Sequence, residues 1–313
     1  MALTKEEYDQ YILDLKETAS PIQKGIVYPE TIRNFVNLSD REILEMEAGG
    51  HPFKCYLNTA HHKTENCPMF INIHGGGWYI KHLDNDVYYA AWLAEQIGGI
   101  VFDIDYSTTE VGPYPVMFAQ CAYAVDYAFE HAAQWGVDPS RISIGGYSAG
   151  GHLTASMVIN DIQKKTDRLA LAILCYAPLD MSKKEKPTDP EEIKRSRRGA
   201  AFSGLLLGND ESLYEDPTYN PYFASDEILS AFPTTLIITA GKCPFHEQDE
   251  AFGARLVSLG VETTMHRCQE ASHGFIPHFT KCWEDGADTM VRYILGTRKH
   301  TVEQMDLGPD WTV

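Results

Sequence analysis

The spacing of apolar positions changes several times along the chain, and the changes mark its elements. Thr4-x-x-Glu7 has the form of a capping box, and Tyr8, Tyr11, Ile12 and Leu15 follow at helical spacing. This predicts an amphipathic first helix whose apolar stripe has no partner nearby in sequence. Residues 41–56 read as two strands joined at Ala48-Gly49-Gly50-His51, and 67–73 as a third. Helical spacing returns over 86–96, and an apolar strand follows over 99–104. Phe118, Cys121, Ala122, Val125, Phe129 and Ala132 then mark one face of a long helix that ends near Gly136. A short apolar strand from Arg141 runs into a helix-forming stretch over 151–157. Further strands are predicted at 169–176, 234–239 and 262–268, with a helix from about 248 to 259 between the last two. Such alternation implies an α/β fold: a mostly parallel sheet of about eight strands, with right-handed crossovers and helices on both faces.

One segment breaks the rhythm. Residues 181–230 mix the charged runs Lys183-Lys184-Glu185-Lys186 and Arg195-Ser196-Arg197-Arg198 with apolar Phe202, Leu205, Leu206 and Leu207. This reads as an insertion that folds over the site as a lid, together with the first helix. The charge runs read as solvated surface. No repeat or linker divides the 313 residues, so a single domain over 1–313 is expected, with cap elements from about 1–40 and the insertion at about 181–230.

Charge narrows the partners. The chain carries 26 basic and 44 acidic side chains, a net charge of −18, which argues against nucleic acid or an anionic membrane surface. No apolar leader follows a basic start and no long uncharged span is present, so a cytoplasmic location without membrane contact is expected. The seven cysteines are scattered with no C-x-x-C pair, and indicate neither a disulfide framework nor a zinc site. The adjacent His61 and His62 read as a solvated loop tip. Neither metal nor cofactor is expected, the partner is a small molecule, and a homodimer is left open.

Three stretches carry the chemistry. In Gly146-Tyr147-Ser148-Ala149-Gly150-Gly151, a serine stands at a strand-to-helix turn that glycines on either side allow to be tight. The turn lifts the Ser148 hydroxyl off the sheet and leaves the Ala149 N–H at a helix N-terminus, where a developing oxyanion is favoured. In His74-Gly75-Gly76-Gly77-Trp78, consecutive glycines behind a strand let backbone N–H groups meet a closely approaching carbonyl oxygen. In Ser272-His273-Gly274-Phe275, a histidine leaves the last strand where it can reach Ser148 as general base.

Together these three motifs resemble the hormone-sensitive-lipase-like branch of the α/β-hydrolases, over residues from about 41 to 295. The resemblance implies an α/β-hydrolase fold and carboxylesterase activity under an N-terminal cap. By position, it makes Ser148 the nucleophile, His273 its base, and the N–H groups of Gly75, Gly76 and Ala149 the oxyanion hole. Trp78 and Tyr147 are expected to line the substrate pocket, although Tyr147, where the family usually has aspartate, can also simply pack. The family's catalytic aspartate follows the strand at 234–239, in a pattern like Ala-Glu-Tyr-Asp-Pro-Leu. This chain reads Ala240-Gly241-Lys242-Cys243-Pro244-Phe245, with Cys243 at the aspartate's place. A neutral thiol cannot stabilise an imidazolium as a carboxylate does, so a displaced acid is expected among Glu247, Asp249 and Glu250, with Glu247 first.

The expected function is a serine carboxylesterase acting on small or short-chain acyl esters through an acyl-enzyme on Ser148. The alternatives are an amidase or arylformamidase-type hydrolase, or a catalytically weak hydrolase-fold protein that binds a ligand.

Overall fold

The computed structural model describes residues 3–17, 26–182 and 190–299, the side chains of 190–196 excepted. The charged run at 183–186 and the tail beyond 299 lie outside the described residues. In chain order the elements are α1 (Lys5–Glu17), α2 (Glu30–Arg33), β1 (Ser39–Ala48), β2 (His51–Ala60), β3 (Cys67–Ile73), α3 (Asp84–Ile97), β4 (Ile100–Asp105) and α4 (Tyr114–His131). There follow β5 (Val137–Tyr147), α5 (Ala149–Gln163), β6 (Leu171–Cys175), α6 (Pro190–Leu207), α7 (Asp226–Ser230), β7 (Thr234–Ala240), α8 (His246–Ser258), β8 (Thr263–Cys268) and α9 (Trp283–Gly296).

The strands form one eight-stranded sheet in the order β1-β2-β4-β3-β5-β6-β7-β8. β2 is antiparallel to both β1 and β4, and every pairing from β4 to β8 is parallel. Its central strands are apolar on both faces because helices cover both. On β3, Met69, Ile71 and Ile73 enter one core cluster while Phe70 enters the other. On β6, Ala172 and Leu174 face the first cluster, and Leu171, Ile173 and Cys175 the second. This alternation is the period-two geometry of a strand buried on both sides.

The first helix finds its partner across the sequence. Thr4 and Glu7 cap each other's backbone N–H groups at 2.8 and 3.2 Å, as the capping box requires. Leu15 of α1 is buried against Ala201 and Leu205 of α6, with Tyr8, Tyr11 and Phe202 around them. Arg197 reaches back from α6 to Asp14 at 2.5 Å and Glu17 at 3.1 Å. α1 and the helix of the 181–230 segment therefore pack as one layer. Phe202 extends that layer to the sheet's carboxyl edge, with its ring 5.6 Å from that of Trp78.

Candidate active site

The turn between β5 and α5 is built from close approaches. Ser148 has φ 54° and ψ −117°, and its N–H donates to the Cys175 carbonyl at 2.9 Å. A methyl group on Gly150 would lie 2.0 Å from the Ile73 carbonyl oxygen, and one on Gly146 would lie 2.5 Å from the Gly150 carbonyl. Neither position admits a side chain, so the chain turns through glycine and spends its backbone strain on Ser148. Ala149 opens α5, where its N–H has no intrahelical acceptor.

The triple glycine lies beside this turn. A Cβ on Gly75 would be 3.7 Å from Cβ of Ser148, and Gly76 and Gly77 have φ of 116° and 59°. The loop is tied down on both sides. His74 stacks on Tyr106 at 4.3 Å, Tyr106 donates its hydroxyl to the His74 carbonyl, and the Thr109 N–H donates to the Trp78 carbonyl at 2.8 Å. Just beyond the loop, His82 Nε2 lies 2.6 Å from Asp103, whose other oxygen accepts from Asn72 at 2.8 Å. Burial disfavours the His82 charge, yet the Asp103 carboxylate outweighs it and lifts the imidazole to about 9. Reading the sequence missed this anchor. Asp103, a carboxylate inside the otherwise apolar run from Ile100 to Ile104, is the signal that could have found it.

His273 brings the parts together. Its Nε2 lies 2.7 Å from Ser148 Oγ, and its Nδ1 lies 3.0 Å from Cys243 Sγ. Tyr176 and Phe245 hold the ring edge-on, at 5.2 and 5.4 Å. Burial lowers the imidazole to about 4, and the charges of Arg198 and His278 act in the same direction. The ring is therefore neutral at physiological pH, as a general base must be.

The expected acid, Glu247, is not brought to this ring. α8 begins at His246, which puts Glu247 in its first turn with the side chain exposed. Glu250 accepts from Arg267 at 2.6 Å and from Thr239 at 3.1 Å. Asp249 turns inward and is 1% exposed; its oxygens have no hydrogen-bond partner among the described residues, and burial raises its carboxyl well above the usual carboxylate range. Cys243 itself faces the imidazole. Burial pushes its thiol up to about 12, partly offset by the Phe245 N–H, which lies 3.4 Å from Sγ. The third group of the row is thus a neutral thiol.

The two expected pocket residues separate. Trp78 stays beside the loop, 3% exposed, between His152 and Phe202. Tyr147 points instead into the opposite core, 5.5 Å from Tyr89, with its hydroxyl on Met290 sulfur at 3.7 Å. Strand alternation is the reason: at the end of β5, the residue next to Ser148 faces away from it.

His61 and His62 make separate contacts, with Asp40 at 3.6 Å and Glu95 at 3.2 Å. Among the described residues, His266, Cys268 and Asp285 bring donor atoms within 4.8 Å of one another, a spacing suited to a metal ion, but they include neither Ser148 nor His273. No helix among the described residues is long and apolar enough to cross a membrane.

Known proteins share this architecture. A family model described as alpha/beta hydrolase fold matches residues 70–277. The arylesterase of Saccharolobus solfataricus is 25% identical over 224 residues, covering 68% of this chain and 70% of its own. Carboxylesterase NlhH of Mycobacterium tuberculosis is 28% identical over 218 residues, covering 68% and 67%. The crystal structure of carboxyl esterase 2 from Tuber melanosporum superposes with a TM-score of 0.74 at 25% identity, over 95% of this chain and 100% of that one. With the elbow, the glycine loop and the late histidine in the family's order, the chain belongs to the α/β-hydrolase family, in its carboxylesterase-type branch.

Proposed function

We propose that this protein hydrolyses small or short-chain carboxylic esters through an acyl-enzyme on Ser148. The observation that carries the reading is the 2.7 Å contact between Ser148 Oγ and His273 Nε2 at the strained turn. Oγ attacks the ester carbonyl carbon while Nε2 takes its proton, and the carbonyl oxygen becomes an oxyanion before the N–H groups of Gly75, Gly76 and Ala149. The imidazolium returns the proton to the departing alkoxide. Water, deprotonated by the same nitrogen, then releases the acid from Ser148. For Nε2 to accept, Nδ1 must carry the other proton, and Cys243 sulfur is placed to receive that hydrogen bond.

Hydrolysis of p-nitrophenyl acetate and butyrate beside a Ser148→Ala control tests the reading; equal rates from the two proteins reject it. The uncharged Cys243 favours one other reading, a catalytically weak hydrolase fold that binds a ligand. A fluorophosphonate probe separates the two, because labelling of Ser148 needs an activated hydroxyl. An amidase or arylformamidase would use the same groups, and comparing matched amide, formamide and ester substrates decides between them.

A further inference from the structure

The edge of the sheet from which the His273 loop departs carries a second group of chemically active side chains. β8 is the last strand in the sheet order, and its residues alternate between two helices. Met265 and Arg267 turn to α8: a Cβ on Gly253 would lie 2.7 Å from Met265 sulfur, and Arg267 donates to Glu250 at 2.6 Å. Thr264, His266 and Cys268 turn to α9, where the Tyr293 hydroxyl donates to Thr264 Oγ1 at 2.5 Å. At the other end of this contact, Asp285 in the first turn of α9 reaches the remaining two side chains. Its Oδ2 lies 3.0 Å from His266 Nε2 and 3.4 Å from Cys268 Sγ.

Three donors of different kinds thus converge from two elements, all within 4.8 Å of one another, and no other such group of His, Cys, Asp and Glu occurs among the described residues. Tetrahedral bonds of about 2.0–2.3 Å to nitrogen, oxygen and sulfur hold their donor atoms about 3.3–3.7 Å apart, so one ion fits between these three after small side-chain adjustments. A thiol is a weak hydrogen-bond donor, and Cys268 gains little from Asp285 unless a cation lies between them. The donor set also narrows the ion. Magnesium and calcium take oxygen ligands, whereas zinc accepts imidazole, thiolate and carboxylate together. Cys268 is buried, while His266 is partly and Asp285 largely exposed, so an ion can enter from solvent and keep a fourth position for water. The chain's net charge of −18 favours the approach of a cation.

We propose that His266, Cys268 and Asp285 bind one zinc ion, and that this ion staples together the two ends of the segment carrying His273. Cys268 is the last residue of β8 and Asp285 the third of α9, and residues 269–282 between the two elements include His273. Binding releases the Cys268 thiol proton to solvent, and His266 offers its Nε2 lone pair with the ring proton on Nδ1. The segment is already tied to the loop after β7, since Gly241 N–H donates to the Cys268 carbonyl and Lys242 N–H to the Ala271 carbonyl, both at 3.0 Å. A metal link fixes it to α9 as well. The site includes neither Ser148 nor His273 and does not depend on the esterase reading.

The test titrates the metal-stripped full chain with Co²⁺ alone. Tetrahedral cobalt absorbs in the visible, and a thiolate ligand adds a charge-transfer band in the near ultraviolet. The expected result is one equivalent bound with both features, displaced by one equivalent of Zn²⁺. Cys268→Ser should lose the charge-transfer band. His266→Gln and Asp285→Asn should each weaken binding by at least about 10-fold, because losing even a group that supports a metal ligand costs about 10- to 100-fold. Cys243→Ser should bind as the wild type does, which separates this site from the thiol beside His273. In the wild type alone, Zn²⁺ should slow amide hydrogen exchange across 269–282, a readout that does not depend on the variants folding. A wild type without the charge-transfer band, or a band that survives in Cys268→Ser, overturns the site. Cobalt binding with no added protection of 269–282 overturns the staple.

Discussion

The two ends of the row Ser148–His273–Cys243 follow different rules. At the elbow, each glycine is fixed by backbone: a methyl group on Gly150 would lie 2.0 Å from the Ile73 carbonyl oxygen, and one on Gly75 would lie 2.9 Å from that of Tyr147. At the other end, the loop after β7 is fixed just as firmly. A Cβ on Gly241 would lie 2.2 Å from the Gln269 carbonyl oxygen, Lys242 N–H donates to Ala271 at 3.0 Å, and Cys243 N–H donates to Ala240 at 2.9 Å. This loop delivers its third residue to His273 Nδ1, and the side chain it places there is a thiol. Position and charge in such a row are separate properties: backbone sterics hold the first, while the side chain alone sets the second.

The largest effect should come from breaking position at the elbow. Gly150→Ala drives a methyl group into two backbone carbonyls, Ile73 at 2.0 Å and His74 at 2.5 Å, which no rotamer change relieves. Ester hydrolysis should fall by about 10³-fold, as Ser148 and the Ala149 N–H move together away from their targets. A melting curve should show a loss of several degrees, from about 1–3 kcal/mol of overpacking. A variant with wild-type turnover would mean that the turn is not where the chemistry happens.

Adding charge at the other end should act in the opposite direction. Cys243→Asp places a carboxylate where Sγ already lies 3.0 Å from Nδ1 and 3.4 Å from the Phe245 N–H, so two donors await it. Since removing a triad aspartate costs about 10⁴-fold elsewhere, a gain of about 10- to 100-fold in kcat is expected for neutral esters. A fall in kcat for every ester would show that the thiol is itself required.

The same pair separates by pH. In the wild type the base is neutral, and active, above its lowered value of about 4, and activity is lost as pH falls through that value. In Cys243→Asp the new carboxylate favours the imidazolium, so the acid limb of kcat/KM should move up by about 1–3 pH units. Identical limbs in the two proteins would disconnect residue 243 from the base.

How legible each end was in the sequence follows from this contrast. Ser148, His273 and the triple glycine stand out because backbone geometry admits few alternatives there. The strands were also readable, β3 over its full length and β8 to within one residue, because apolar alternation is dictated by burial. Tyr147 was misplaced because spacing along the chain does not say which face a residue takes at the last position of β5. The buried pair His82 and Asp103 went unread because one member lies in the loop before α3 and the other on β4, and only the fold brings them to 2.6 Å. The packing of α1 on α6 has the same cause, since nothing local tells an unpaired apolar stripe what covers it.

The smallest expected effect concerns the carboxylate that sequence position alone favoured. Glu247 is exposed in the first turn of α8, and Cys243 occupies the imidazole nitrogen it was expected to reach. Its negative charge does sit near a helix N-terminus, where such groups contribute about 0.3–1 kcal/mol. Glu247→Gln should therefore cost a degree or two of melting temperature at most, and change kcat by less than about two-fold. If kcat fell by orders of magnitude while the melting temperature held, α8 would have to unwind its first turn during catalysis to deliver Glu247. The separation of position from charge would then fail, because the loop would have been rebuilt around a new acid after all.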